Sequence, residues 1–306
     1  MRKKSSIKIL VEYTIARLVL LTLGLAPRKF STSLGVFTGE LVYRFSGRLR
    51  KVGERNLALA FPELEDSERT RILKASFASL GRMLGEFSQF EKTSAEKLHN
   101  IVEYQGLDNL REAQKRGNGV IFLTSHLGAW ELSSFAHSAF GNPHYFLVRP
   151  IDNNLIEEMI ERMRMRFGNQ AINKKAAARE VLRLLRKGKS VGILADLNTQ
   201  PHEGVFVPFF NHLACTTASV ATFSLRTSAS IIPACIPWIE SQNRFVLRFD
   251  PAIEYRSTGD RTVDIAKLTA LCTKAIEGHI REYPDQWLWI HKRWNTRPQG
   301  DAGLYS

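Results

Sequence analysis

Cysteine is scarce in this chain of 306 residues: Cys215, Cys235 and Cys272 stand far apart, and no CxxC pair occurs. That excludes a disulfide framework and a cysteine-built zinc site, and fits a reducing compartment. Each of the three reads as a small buried apolar residue. Long apolar runs are missing too. The run at 18–26 falls short of the roughly 20 residues that a spanning helix needs. HExxH is absent, which argues against a zincin, and GxSxG is absent, which removes the support for a hydrolase elbow. Gly188-Lys189-Ser190 ends like a P-loop, but Arg183 stands where its first glycine belongs and the apolar strand follows instead of preceding. Gly117-Asn118-Gly119 lacks the third glycine of a dinucleotide fingerprint. No internal repeat and no low-complexity tract is found. Neither a metal nor a cofactor is called for.

What is present is positive charge. Lys and Arg total 43 against 30 Asp and Glu, a net +13. This balance suits an anionic partner: nucleic acid, an anionic membrane or a phosphorylated substrate. Nucleic acid is disfavoured, because single-strand binders interleave aromatics with basic residues. Here the aromatics gather in apolar segments, Phe206-Val-Pro-Phe-Phe210 and Trp287-Leu-Trp289 among them, which read as core or as walls for an acyl chain. A non-catalytic basic protein that docks on membranes or nucleic acid is the competing class.

Four stretches differ in pattern. Residues 1–27 open with Arg2, Lys3 and Lys4 and continue as an apolar stretch at 7–25, interrupted by Glu12 and Arg17 and followed by no cleavage site. The stretch reads as a helix lying in or dipping into a membrane surface. Residues 28–95 read as a helical cap, with Leu34, Phe37, Leu41, Val42 and Phe45 at helical spacing and a second such series from Ile72 to Phe87. From 96 to 298, apolar runs at 119–124, 144–148, 190–195, 229–234 and 244–248 alternate with helical patterns at 128–140, 153–167, 175–187, 216–227 and 262–282. Nearly continuous apolar strands separated by helices predict an α/β core, a central and mostly parallel sheet flanked by helices. Residues 299–306 read as a short, polar and loose tail.

The motif that carries chemistry is Thr124-Ser-His126-Leu-Gly128-Ala-Trp-Glu131, placed where an apolar strand gives way to a helix. An imidazole has an unperturbed pKa near 6.5, so His126 is available as a base. It would take the proton of an acceptor hydroxyl as that oxygen attacks a thioester carbonyl. Glu131, five residues on, is expected to reach the imidazole, fix its tautomer and stabilise the imidazolium. Gly128 permits close backbone approach, and amides at the start of the helix are candidates for an oxyanion hole. Among the basic residues, Arg149 closes the strand at 144–148 and suits a phosphate.

Ordered along the chain with these pieces stand Asn56-Leu-Ala-Leu-Ala-Phe-Pro62, Arg149-Pro150, Arg164-Met-Arg166, Asp196 after its strand, Val205-Phe-Val-Pro-Phe-Phe210, and Pro284-Asp-Gln-Trp287-Leu-Trp289-Ile-His291-Lys-Arg293-Trp294. Together they resemble the lipid A biosynthesis acyltransferases, a branch of the lysophospholipid acyltransferase-like superfamily, over roughly residues 10–298. The resemblance implies transfer of an acyl chain from acyl-carrier protein to a hydroxyl of a lipid A precursor, at the cytoplasmic face of the inner membrane, with an N-terminal anchor. It implies His126 and Glu131 as the catalytic dyad, and Arg149, Arg164, Arg166 and Asp196 around the substrate. Asp196-Leu197 stands where many relatives have Asp-Gln, which leaves the acceptor open: a lysophospholipid, a phosphatidylinositol mannoside or another glycolipid would use the same chemistry.

Overall fold

Successive side chains of a strand point to opposite faces. In Val120–Thr124, Val120 and Phe122 join one buried apolar cluster while Ile121 and Leu123 join another. A strand apolar on both sides belongs inside a sheet covered on both sides. A computed structural model, describing residues 6–148, 151–173 and 177–305, contains that sheet. Its strands are β1 (Val102–Gln105), β2 (Val120–Thr124), β3 (Tyr145–Val148), β4 (Gln170–Asn173), β5 (Ser190–Leu194), β8 (Ser230–Cys235) and β10 (Arg244–Phe249), in the spatial order β1-β10-β8-β2-β5-β3-β4. The short β9 (Trp238–Ile239) pairs with β10. All neighbours along that order are parallel except β10 against β8. Between β5 and β8 in sequence, β6 (Gly204–Phe209) and β7 (His212–Thr217) form a separate hairpin.

Eleven helices are described: α1 (Ser6–Leu25), α2 (Arg28–Phe45), α3 (Gly47–Ala60), α4 (Asp66–Phe87), α5 (Ala95–His99), α6 (Leu107–Lys115), α7 (Trp130–Ala139), α8 (Asn154–Arg164), α9 (Ala177–Arg186), α10 (Ser219–Thr227) and α11 (Arg261–Glu282). On one face, α6, α7 and the end of α4 pack over Val120 and Phe122. On the other, α3, the start of α4, α9, α10 and α11 pack over Ile121 and Leu123, and all three of Trp287, Trp289 and Trp294 are buried there. Local chemistry sets several of these ends. Val181, Leu184 and Leu185 give α9 one buried stripe. Asn153 caps α8 by accepting from the amides of Leu155 and Ile156, and Asp260 caps α11 in the same way.

The five expected strands lie within a residue or two of their expected places. β1 and β4, four residues each, are too short and polar to read from pattern. The β6–β7 hairpin shows in the sequence only as an apolar segment, because its turn is Phe210-Asn211, both at positive φ, where Asn-Gly would have announced it. Trp287, Trp289, Phe209 and Phe210 are core and line no part of the pocket beside the site.

The N-terminal helices leave apolar surface uncovered. On α1 the residues Ile7, Leu10, Val11, Ile15, Leu18, Val19 and Leu25 are exposed, and on α2 so are Phe30, Leu34, Phe37, Leu41, Val42 and Phe45. The opposite side of α2 carries Gly35 and Gly39, which meet Gly81 and Gly85 of α4 with no room for a side chain between the backbones. No helix among the described residues is long and apolar enough to cross a membrane.

Candidate active site

β2 and β5 are parallel neighbours with Thr124 opposite Leu194. His126 and Asp196 each lie two residues beyond those partners, so the register sets them side by side at the carboxyl edge of the sheet. That edge is where open α/β sheets bind ligands. The imidazole Nδ1 of His126 lies 2.8 Å from Asp196 Oδ1, and the His126 backbone amide donates to Asp196 Oδ2 at 2.9 Å.

Burial would lower the pKa of His126, but the Asp196 charge, the hydrogen bond to it and the nearby Glu131 charge outweigh burial, and the net direction is upward. Burial would likewise raise Asp196. The His126 charge and the hydrogen bonds from His126 and Trp287 hold it below the usual carboxylate range, and it is ionised.

The expected contact between Glu131 and the imidazole is not made. Glu131 is gripped by Arg164, whose Nε donates to Oε2 at 2.8 Å and Nη2 to Oε1 at 2.5 Å. The reason is helical phase. Glu131 is in the first turn of α7 and faces the end of α8, where the fork-shaped guanidinium offers both carboxylate oxygens a partner. Glu131 reaches His126 only through space, as a charge, and the hydrogen-bond partner of the ring is Asp196.

Past the ring of Trp130 opens a largely apolar pocket, lined by Phe122, Leu194, Phe146, Val148, Leu247 and Phe249 among others; His126 itself is not in its lining. Trp130, also in its wall, sets its ring 5.0 Å from that of His126. Among the described residues of the lining, Glu131 and Arg164 are the charged groups. Farther along α7 the wall includes His137, and His144 joins it; burial keeps both neutral, pushing them down to about 3 and about 4. These two histidines carry no sequence signal.

The other expected site residues divide. Arg164 lines the pocket. Arg166 does not: its guanidinium donates to the backbone carbonyls of Phe90 and Thr93, tying the end of α8 to the segment after α4. Gly128 has φ +63°, and a Cβ there would overlap the carbonyl of Ile236, so its role is close backbone approach. The Gly128 and Ala129 amides donate to the carbonyls of Gln286 and Ile236, which removes them from any oxyanion hole. Arg149 lies outside the described residues.

Comparison with known proteins adds identity to this geometry. The family model "Bacterial lipid A biosynthesis acyltransferase" matches residues 1–296. Two relatives come from Escherichia coli (strain K12). The lipid A biosynthesis palmitoleoyltransferase is 29% identical over 273 residues, covering 89% of this chain and 87% of the relative. The lauroyltransferase is 30% identical over 285 residues, with the same two coverages. The crystal structure of a 1-acyl-sn-glycerophosphate acyltransferase from Thermotoga maritima aligns over 84% of this chain and 98% of its own, at a TM-score of 0.41 and 14% identity, a likeness too loose to bear on the fold. A family match that spans nearly the whole chain is decisive: the protein belongs to the bacterial lipid A biosynthesis acyltransferase family and is an O-acyltransferase.

Proposed function

We propose that the protein transfers a fatty acyl chain from the thioester of acyl-carrier protein to a hydroxyl of a lipid A precursor, with His126 as general base. The observation that carries this reading is an imidazole at the sheet edge, one aromatic ring away from a mostly apolar pocket whose described lining residues include the Glu131–Arg164 ion pair. The acyl chain occupies the apolar walls, which bury its methylenes at about 25 cal/mol per Å². The acceptor hydroxyl oxygen attacks the thioester carbonyl carbon. The new C–O bond forms, the C–S bond breaks, and the hydroxyl proton passes to Nε2 of His126 and from there to the departing thiolate. No covalent enzyme intermediate is needed.

Arg164, whose Nε and Nη2 each donate to Glu131, turns its remaining N–H groups to the phosphate of such an acceptor. Glu131 keeps that guanidinium in place and adds negative charge near the imidazolium as it forms. The exposed apolar faces of α1 and α2, with the exposed Lys8, Arg17, Lys29 and Arg44 on the same helices, fit the interface of an anionic membrane. The cytoplasmic face of the inner membrane is where an acyl-carrier protein meets such a surface.

The test is acyl transfer by the purified protein from acyl-carrier protein thioesters to a lipid A precursor. Wild type is expected to acylate it, and His126→Ala to lose at least about a thousandfold in rate, in line with removal of a general base whose neighbours remain. A fully active His126→Ala protein refutes the base. Acylation of lysophospholipids or mannosylated phosphatidylinositol, with the lipid A precursor untouched, refutes the acceptor.

A further inference from the structure

Two conspicuous segments of the sequence take no part in the reaction just described: Asn56 in α3 and the tryptophan-rich stretch at 284–294. The stretch runs behind the catalytic turn, and Asn56 is bonded to the stretch. We propose that Asp196 is the positioning residue for His126, and that the C-terminal segment around Trp287 holds Asp196 in the orientation this requires.

Three donors point at the Asp196 carboxylate. Oδ1 faces Nδ1 of His126 at 2.8 Å. Oδ2 accepts from the His126 backbone amide at 2.9 Å and from the indole Nε1 of Trp287 at 2.8 Å. Indole N–H and backbone N–H only donate. Both contacts therefore require an acceptor at Oδ2, and the ionised carboxylate, which accepts at both oxygens, satisfies all three. His126 then carries its proton on Nδ1 and leaves Nε2 with the lone pair that a base needs. Asp196 is fully buried, so its charge acts on the imidazole with little screening by water.

The same C-terminal segment brackets the turn through its backbone. The amide of Leu288 donates to the carbonyl of His126 at 3.1 Å, and the carbonyl of Gln286 accepts from the Gly128 amide at 2.9 Å. Trp287 is wholly buried, packed edge-on against Trp289 at 4.7 Å and against Phe209 at 5.7 Å between ring centroids. Buried Asn56 donates to the carbonyls of Trp289 and His291, at 2.6 and 2.7 Å, and so moors the segment to α3. Residues far from His126 along the chain thus fix its ring.

Asn at position 196 inverts this logic. Its single carbonyl oxygen can serve either the imidazole or the pair of donors at Oδ2. Facing the pair, it turns its NH2 to Nδ1, forces the proton onto Nε2 and removes the base. In the serine-protease triad of trypsin the same Asp-to-Asn change imposes the wrong tautomer and costs about 10⁴ in kcat.

This inference rests on His126 being the base, and the experiment separates the two. The full-length wild type, His126→Ala, Asp196→Asn, Trp287→Phe and Glu131→Gln proteins are compared for kcat, KM and the pH dependence of kcat/KM, with folding checked by circular dichroism and melting temperature. Asp196→Asn is expected to lose about 10³- to 10⁴-fold in kcat, with KM for donor and acceptor within about threefold of wild type. Trp287→Phe keeps an aromatic ring and deletes the N–H, and is expected to lose about tenfold in kcat through one charged hydrogen bond. It is expected to move the acidic limb of kcat/KM, whereas a merely structural tryptophan would leave that limb in place.

Among the described residues, the charged and titratable groups facing the imidazole are Asp196, Glu131 and His291, with Arg293 behind Asp196. Glu131→Gln leaves the Asp196 contacts intact and is expected to lower kcat less than Asp196→Asn does. An inactive His126→Ala with Asp196→Asn within threefold of wild type in kcat overturns the positioning role alone. A fully active His126→Ala overturns the base, and the positioning role with it. If Asp196→Asn does not fold, Trp287→Phe decides: an unchanged kcat and an unchanged acidic limb overturn the proposal.

Discussion

Gly81→Ala is a substitution whose sign is set by one contact. In an exposed helix interior, replacing glycine by alanine stabilises by about 1 kcal/mol, because alanine has less backbone freedom to lose. Gly278 of α11 is such a site, exposed and with nothing within 4 Å of a Cβ built there. At Gly81 the same methyl group would overlap the carbonyl oxygen of Gly35, 2.6 Å from its carbon and 3.1 Å from the amide nitrogen of Gly39. These are backbone atoms of α2 and have no rotamer to change. The helices must separate, and a gap of 0.5–1 Å already forfeits roughly a quarter to a half of each dispersion contact along the seam. Overpacking of this kind costs about 1–3 kcal/mol, occasionally more. Set against the propensity gain, the expected net for Gly81→Ala runs from about zero to a loss of about 2 kcal/mol, while Gly278→Ala gains about 1 kcal/mol. Urea unfolding of both variants beside wild type, in the same detergent, measures the difference. Because Gly35 shares the contact, Gly35→Ala added to Gly81→Ala should cost less than the sum of the two single losses. Stabilisation of Gly81→Ala by as much as Gly278→Ala refutes the close packing of α2 on α4.

Two further outcomes follow from the site. The pKa of His126 is displaced upward, its burial outweighed by the Asp196 charge and hydrogen bond and by Glu131, and the base must be neutral to work. kcat/KM is therefore expected to rise with pH through a midpoint above about 6.5, and a midpoint below that in a full pH–rate profile contradicts the assignment. The pair also couples stability to pH: the contribution of His126 is complete below its unfolded pKa and fades as pH rises through the raised folded value, whereas that of Asp196 holds above its unfolded pKa and fades as pH falls. Gly192 lines the apolar pocket, and a Cβ there meets His144 only at ordinary contact distances, 3.7 Å and beyond. Gly192→Val should fold and shrink the pocket. It is expected to cost at least about tenfold in kcat/KM on long acyl donors, the worth of a methylene or more, and little on short ones. A kcat/KM series over acyl chain length checks this, and an unchanged preference argues against chain binding in this pocket.

Much of the sheet is legible in the sequence because its strands are apolar on both faces. Val120-Ile-Phe-Leu cannot be solvent-exposed on either side, and the helices between such runs give their connections away by spacing. The hairpin escapes because Phe210 occupies a left-handed turn position that its residue type does not advertise. At the site, His126 stands out by its place at a strand end, and Asp196 is visible after another strand with nothing in the sequence to join the two. The missing link is strand order: only when β5 lies beside β2 do positions 126 and 196 meet.

By itself, then, the sequence singled out His126 as the candidate base and set the apolar character of its surroundings and the α/β alternation, since these follow from residue type and local period. The tertiary structure alone decided which carboxylate serves the imidazole. Glu131 is near His126 in sequence, but helical phase turns it to Arg164. Asp196 and Trp287 are distant in sequence, and parallel register together with the folded-back C-terminal segment brings them to the ring. Hydrogen bonds depend on position and direction in space, and for residues this far apart along the chain both are set by packing.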